Sequence, residues 1–140
     1  MSKDDLLLFL QKVDSLFPIN LSDKTDLNIL AEKFISLGTV FYVYDNNDIV
    51  GLIAGYNNDD VNHCAYISVL AVLPQYQGKG YASKLILDFT NDCINKKIKK
   101  IELFTHKSNE NAIKVYKKNG FVIDENNKSR PNDIKFYKDL

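Results

Sequence analysis

Two hydrophobic periods alternate along the chain, and together they predict ten elements. Residues 3–13 place Leu6, Phe9, Leu10 and Val13 on one stripe, with Asp4 and Asp5 suited to a first helical turn. A connector, Phe17-Pro18-Ile19-Asn20, leads to a second helix. Ser22 or Asp23 would cap it, Leu27, Leu30, Ala31, Phe34 and Ile35 would face inward, and Gly38 would end it. Apolar runs at 41–44 and 49–56 flank a polar turn at 45–48 and read as a hairpin. A polar loop at 57–62 precedes an Ile-, Val- and Leu-rich run at 67–73, which reads as a buried strand stopped by Pro74. Ala82, Leu85, Ile86, Phe89 and Cys93 then share one helix face, with Lys84, Asp88, Asn91 and Asp92 off it. A strand at 101–105, a helix at 109–118 and strands at 121–123 and 134–137 complete the pattern.

Composition narrows what such a chain does. A length of 140 residues suits one domain over 1–140, with 45% hydrophobic and 26% charged residues, as in ordinary globular proteins. Eighteen basic residues balance eighteen acidic ones, which argues against a nucleic-acid partner held by a general basic field. No apolar run approaches the ~18 residues that cross a membrane, and no leader pattern opens the chain, so a cytoplasmic protein without membrane partners is expected. Cys64 and Cys93 lack metal-ligand spacing and read as reduced thiols in or near the core, so no metal is expected. No Ser-His-Asp or Cys-His arrangement suggests a covalent nucleophile. The lysine-rich run at 96–100 reads as a solvated helix end.

The chemistry concentrates where the buried strand meets the following helix. Gly78 and Gly80 lie in that bend, where bare backbone N–H groups and the helix dipole together favour phosphate. Neither G-x-x-x-x-G-K-[ST] nor G-x-G-x-x-G is present, since Ser83 stands where a third glycine or alanine would be needed. What remains is Gln75-x-x-Gly78-x-Gly80 directly after a strand. Downstream, Asn109, Ala112, Tyr116, Gly120 and Phe121 reproduce N-x-x-A-x-x-x-Y-x-x-x-G-F. In both stretches, over roughly residues 50–121, the chain resembles the GNAT superfamily of acetyl-CoA-dependent N-acetyltransferases.

The resemblance implies an α/β (α+β) fold with a mixed, mostly antiparallel sheet flanked by helices, and acetyl-CoA as cosubstrate. It implies that Gln75, Tyr76, Gln77, Gly78, Lys79, Gly80, Ala82 and Ser83 surround the diphosphate. Leu70, Ala71 and Val72 would pair with the pantetheine arm, and Asn109 and Ala112 would contact the cofactor. Tyr116 would bind it too and protonate the departing thiolate, a role suited to a phenol facing a thiol of reference pKa about 8.5. The base is less marked, because the central strand holds no carboxylate. Glu102 stands first among the residue candidates, beside His106, His63, Tyr66, Asp59 and Asp60, but the expectation is deprotonation through ordered water with no single residue essential. Glu102 also alternates away from Ile101, Leu103 and Thr105, as a solvent-facing residue would. The acceptor is expected to be a small-molecule amine, an amino sugar among the options, taken up beside the 57–62 loop and the N-terminal helices. A non-catalytic acyl-CoA-binding domain, another acyl donor and a protein amine are the alternatives. The state is monomer or homodimer, with an exposed edge strand near Ile134 as a possible pairing site. The extra strand that usually opens the superfamily's fold finds no counterpart in the pattern here.

Overall fold

The computed structural model describes residues 1–140. Three helices come first: α1 (Lys3–Val13), α2 (Leu21–Lys24) and α3 (Leu27–Leu37). They are followed by β1 (Thr39–Asp45), β2 (Asp48–Tyr56), β3 (Cys64–Val72) and α4 (Tyr81–Asn95). The chain ends with β4 (Lys100–His106), α5 (Glu110–Lys118), β5 (Val122–Ile123) and β6 (Asp133–Asp139). All six strands join one sheet in the order β1-β2-β3-β4-β6-β5. Every neighbouring pair is antiparallel except β3 with β4. No strand precedes α1, in keeping with the hydropathy pattern.

Burial along the strands shows where helices cover the sheet. In β2, residues 49–55 are all buried, because α1 and α3 pack on one face and α4 on the other. β4 instead alternates, with Ile101, Leu103 and Thr105 buried and Glu102, Phe104 and His106 half-buried. Its inner face joins Phe89, Tyr116, Phe121 and Phe136 in a core of 13 buried residues, and a second core of 11 lies under α1 and α3. The expected early helix divides in two. Thr25 is extended, and Asp26 caps α3 by accepting hydrogen bonds from the amides of Asn28 and Ile29. β6 is also not an edge: it lies between β4 and β5, so β1 and β5 bound the sheet.

One irregularity positions everything that follows. Ala54 pairs with Val69 and Gly55 with Ile67, which leaves Ser68 as an unpaired residue on β3. β3 pairs with β4 only from Cys64 to Ile67, yet it continues to Val72 and β4 to His106. Beyond the bulge, the two strands therefore part, and the β4-facing edge of residues 68–72 has no ladder partner.

Candidate active site

Past Val72 the chain turns sharply. Pro74 opens a short 3-10 turn, Pro74–Tyr76, and the Gln77 side chain folds back to donate to the Val72 carbonyl at 3.0 Å. Tyr76 donates its hydroxyl to Asp45 at the end of β1 over 2.7 Å, which tethers the bend to the hairpin. That hydrogen bond to a carboxylate, ahead of burial, holds the Tyr76 phenol above its ordinary ionisation range. Gly78 and Gly80 then take φ values of 79° and 86°, in the left-handed region. A Cβ built on either would meet nothing within 4 Å, so these glycines shape backbone in front of open space. The amides of Gly78, Lys79, Gly80, Tyr81, Ala82 and Ser83 find no acceptor in the chain. Six donors in a row, the last three at the start of a 15-residue helix, make a seat for an anion.

α5 forms the opposite wall. Asn109 caps it by accepting from the Ala112 amide at 3.2 Å, and Asn119 ties it to α4 by donating to the Ser83 hydroxyl at 3.1 Å. Tyr116 points inward, 6% exposed, with its ring 5.6 Å from Phe121 and 5.9 Å from Phe136. Its hydroxyl makes no hydrogen bond within the chain, yet it is not sealed from solvent, since Thr90 holds the one fully buried side-chain oxygen left unpaired. Burial, with the nearby Tyr66 phenol as a smaller cause, holds the Tyr116 hydroxyl well above its ordinary range.

Between these walls lies a cavity of about 500 Å³. Of the residues expected at a cofactor site, it gathers Leu70, Ala71, Val72, Tyr76, Gln77, Gly78, Gly80, Ala82, Ser83, Asn109, Ala112 and Tyr116. Gln75 and Lys79 do not line it: Gln75 is exposed, and the Lys79 ammonium lies 5.4 Å from the Tyr76 ring centre. Glu102 does not line it either. It accepts a hydrogen bond from the Cys64 thiol at 2.9 Å and is ion-paired to Lys135. Burial pushes the Glu102 carboxyl up, but these two partners outweigh it and hold the group below its usual range. The Cys64 thiol, desolvated and facing that carboxylate, is pushed up to about 12, which keeps it protonated at neutral pH.

His63, His106, Tyr66, Asp59 and Asp60 are likewise absent from the lining. The 57–62 loop is remote from it. Asn57 is buried against the far end of α4, donating to Asp92 at 2.7 Å and accepting from Thr39 at 2.6 Å and Lys96 at 3.0 Å. The cavity meets α4 at its first turn, and 15 residues of helix span roughly 22 Å. Sequence reasoning missed Leu16, Phe17, Tyr81, Asn111, Lys114, Val115 and Lys118. Helical spacing from Ala112 and Tyr116 would have found the α5 members, whereas nothing local marks the segment after α1 as a cover for a distant helix start.

A parted pair of strands, a bend rich in free amides and a phenol in one cavity describe the acyltransferase class of α/β fold. A profile of the acetyltransferase (GNAT) family matches residues 10–121, and the chain belongs to that family. It is 32% identical over 87 residues to the spermidine N(1)-acetyltransferase of Escherichia coli, a match covering 60% of this chain and 45% of that one. The chain spans about half the length of the curated relatives it matches. Among solved structures, it resembles a GNAT-family acetyltransferase from Staphylococcus aureus (TM-score 0.80, 20% identity, 99% of this chain and 92% of that one). It also resembles the PaiA N-acetyltransferase of Thermoplasma acidophilum in complex with coenzyme A (TM-score 0.80, 17% identity, 100% and 96%). At these identities the structural likenesses establish the fold.

Proposed function

We propose that this chain transfers the acetyl group of acetyl-CoA to a primary amine of a small molecule, by direct attack in a ternary complex. The observation that carries this reading is the convergence on one cavity of five residues with unpaired amides (Gly78, Gly80, Tyr81, Ala82 and Ser83), the free edge of β3 and Tyr116. In this reading the amides at 78–83 hold the diphosphate, and the open edge of Leu70, Ala71 and Val72 pairs with the pantetheine amides. The amine nitrogen attacks the thioester carbonyl, the carbon–sulfur bond breaks, and Tyr116 gives its proton to the leaving sulfur. Burial strengthens the phenol's hold on its proton, so Tyr116 stays protonated as the donor until the thiolate forms. The amine's proton leaves through water, which returns a proton to the Tyr116 phenolate. Glu102 has no part in this reading, because its two carboxylate oxygens already serve Cys64 and Lys135.

No acidic residue lines the cavity, so it offers a polycation no electrostatic attraction. A panel of polyamines, amino sugars, hydrophobic amines and a lysine peptide, assayed for release of free CoA thiol, tests the proposal. Thiol release that requires an amine is expected, and competing acetyl-, propionyl- and succinyl-CoA in the same assay identify the preferred donor. Binding of acetyl-CoA with no thiol release on any amine would favour a non-catalytic acyl-CoA-binding domain.

The tether from Tyr76 to Asp45 gives a second prediction. Freeing the bend in Asp45→Ala or Tyr76→Phe should weaken acetyl-CoA binding about fivefold, the roughly 1 kcal/mol net scale of one ordinary hydrogen bond. Asp45→Asn keeps an acceptor and should recover most of the loss in a calorimetric titration. Equal binding by all three variants would show that the bend holds its shape unaided.

A further inference from the structure

Of all the residues that line the cavity, only Lys114 and Lys118 carry charge. They stand one turn apart on α5, about 6 Å along its axis, on the wall opposite the free amides. Neither takes part in any ion pair or side-chain hydrogen bond, whereas Lys3, Lys84, Lys96 and Lys135 are each paired with a carboxylate. Glu110 stands four residues before Lys114, the favoured arrangement for a helix-surface pair, yet the two remain apart. The helix dipole accounts for basic residues in the last turn, Lys117 and Lys118, but only Lys118 of these reaches the cavity, and Lys114 lies outside that turn.

Two unpaired ammonium groups in a cavity without carboxylates describe a second anion subsite, separate from the row of amides. We propose that Lys114 and Lys118 bind the 3′-phosphate on the ribose of coenzyme A and so select CoA over its dephospho form. This inference rests on the acetyl-CoA reading above and goes beyond it, because the amides answer only the diphosphate, which both forms carry. The two anions would then meet different donors: backbone amides for the diphosphate and exposed lysine ammonium groups for the 3′-phosphate.

Calorimetric titration with CoA and with dephospho-CoA tests it on the intact chain. The wild type should bind CoA about tenfold more tightly, the scale of two solvent-exposed charge pairs, with the gap narrowing as salt rises. Lys114→Gln/Lys118→Gln should lose that gap by weakening CoA alone. Lys117→Gln, which removes a neighbouring charge outside the cavity, should leave the gap unchanged and so control for net charge. Equal binding of the two ligands by the wild type, or equal weakening of both in the double variant, would overturn the subsite while sparing the acetyl-CoA reading. Failure of the wild type to bind either ligand would overturn both.

Discussion

Replacing Tyr116 with phenylalanine should cut turnover about a hundredfold at saturating acetyl-CoA, the lower end of what a positioned general acid contributes. The structure makes this substitution a clean one. The ring is packed against Phe121 and Phe136, and phenylalanine keeps those contacts. The hydroxyl has no partner in the chain, so its removal leaves no buried group unpaired. The melting temperature and the Kd for acetyl-CoA should therefore stay close to those of the wild type while kcat falls. Unchanged turnover in the variant would remove Tyr116 from the chemistry; a large fall in melting temperature would show that its role is packing.

The same residue predicts a pH response of definite sign. Its folded-state ionisation lies above the ordinary phenol value of 10.0, raised first by burial and then by Tyr66. A group raised in this way contributes stability that is complete below the unfolded pKa and is lost as pH climbs toward the folded one. Between pH 10 and 12, the wild type should lose stability faster than Tyr116→Phe, which has no phenol to ionise there. Throughout the neutral range the phenol stays protonated and available as a donor, so no alkaline fall in kcat below pH 10 should trace to it.

Much of this cavity was legible because its walls depend on residues that act locally. Pro74, Gly78 and Gly80 specify a stop and two left-handed turns, and the apolar stripe of Leu85, Ile86 and Phe89 specifies the helix whose start they shape. Tyr116 is marked by the resemblance to the GNAT pattern that it shares with Asn109 and Gly120, since its position alone suits a core aromatic equally well. What stayed hidden depends on distant contacts. Ser22, Asp23 and Asp26 all suit a helix start, and the choice fell to Asp26 only because Thr25 is extended and two amides turn to that carboxylate. Glu102 alternates away from the inner face as expected, but its partners arrive from β3 and β6, and it is these that occupy it. The 57–62 loop was read as part of an acceptor site, yet Asn57 is spent on α4's far end. The parting of β3 from β4, which the expected pairing with the pantetheine arm requires, is set by contacts between strands and so is not legible along the chain, although Gly55 inside an apolar strand is a sign of a bulge.

That glycine carries the largest expected effect on stability. A Cβ at position 55 would lie 2.2 Å from the Tyr66 carbonyl oxygen and 3.1 Å from the Ile67 Cα, both backbone atoms that cannot swing aside. Relief requires β2 and β3 to separate at the very pair that sets the bulge at Ser68. Gly55→Ala should therefore cost about 2–4 kcal/mol, in the range of an overpacked core position, and lower the melting temperature by roughly 10 °C. Gly51 on the same strand supplies the comparison. A Cβ there would come no closer than 3.4 Å to the Leu85 and Val72 side chains, ordinary contact, so Gly51→Ala should shift the melting temperature little. The effect on function should follow the same division. If the bulge sets where β3 leaves β4, Gly55→Ala measured well below its melting point should bind acetyl-CoA more weakly, while Gly51→Ala binds as the wild type does. A folded Gly55→Ala protein with unaltered affinity would mean that the strands part for some other reason. In that case, the covering segment at Leu16 and Phe17 would be the next feature to test, since it lines the same opening.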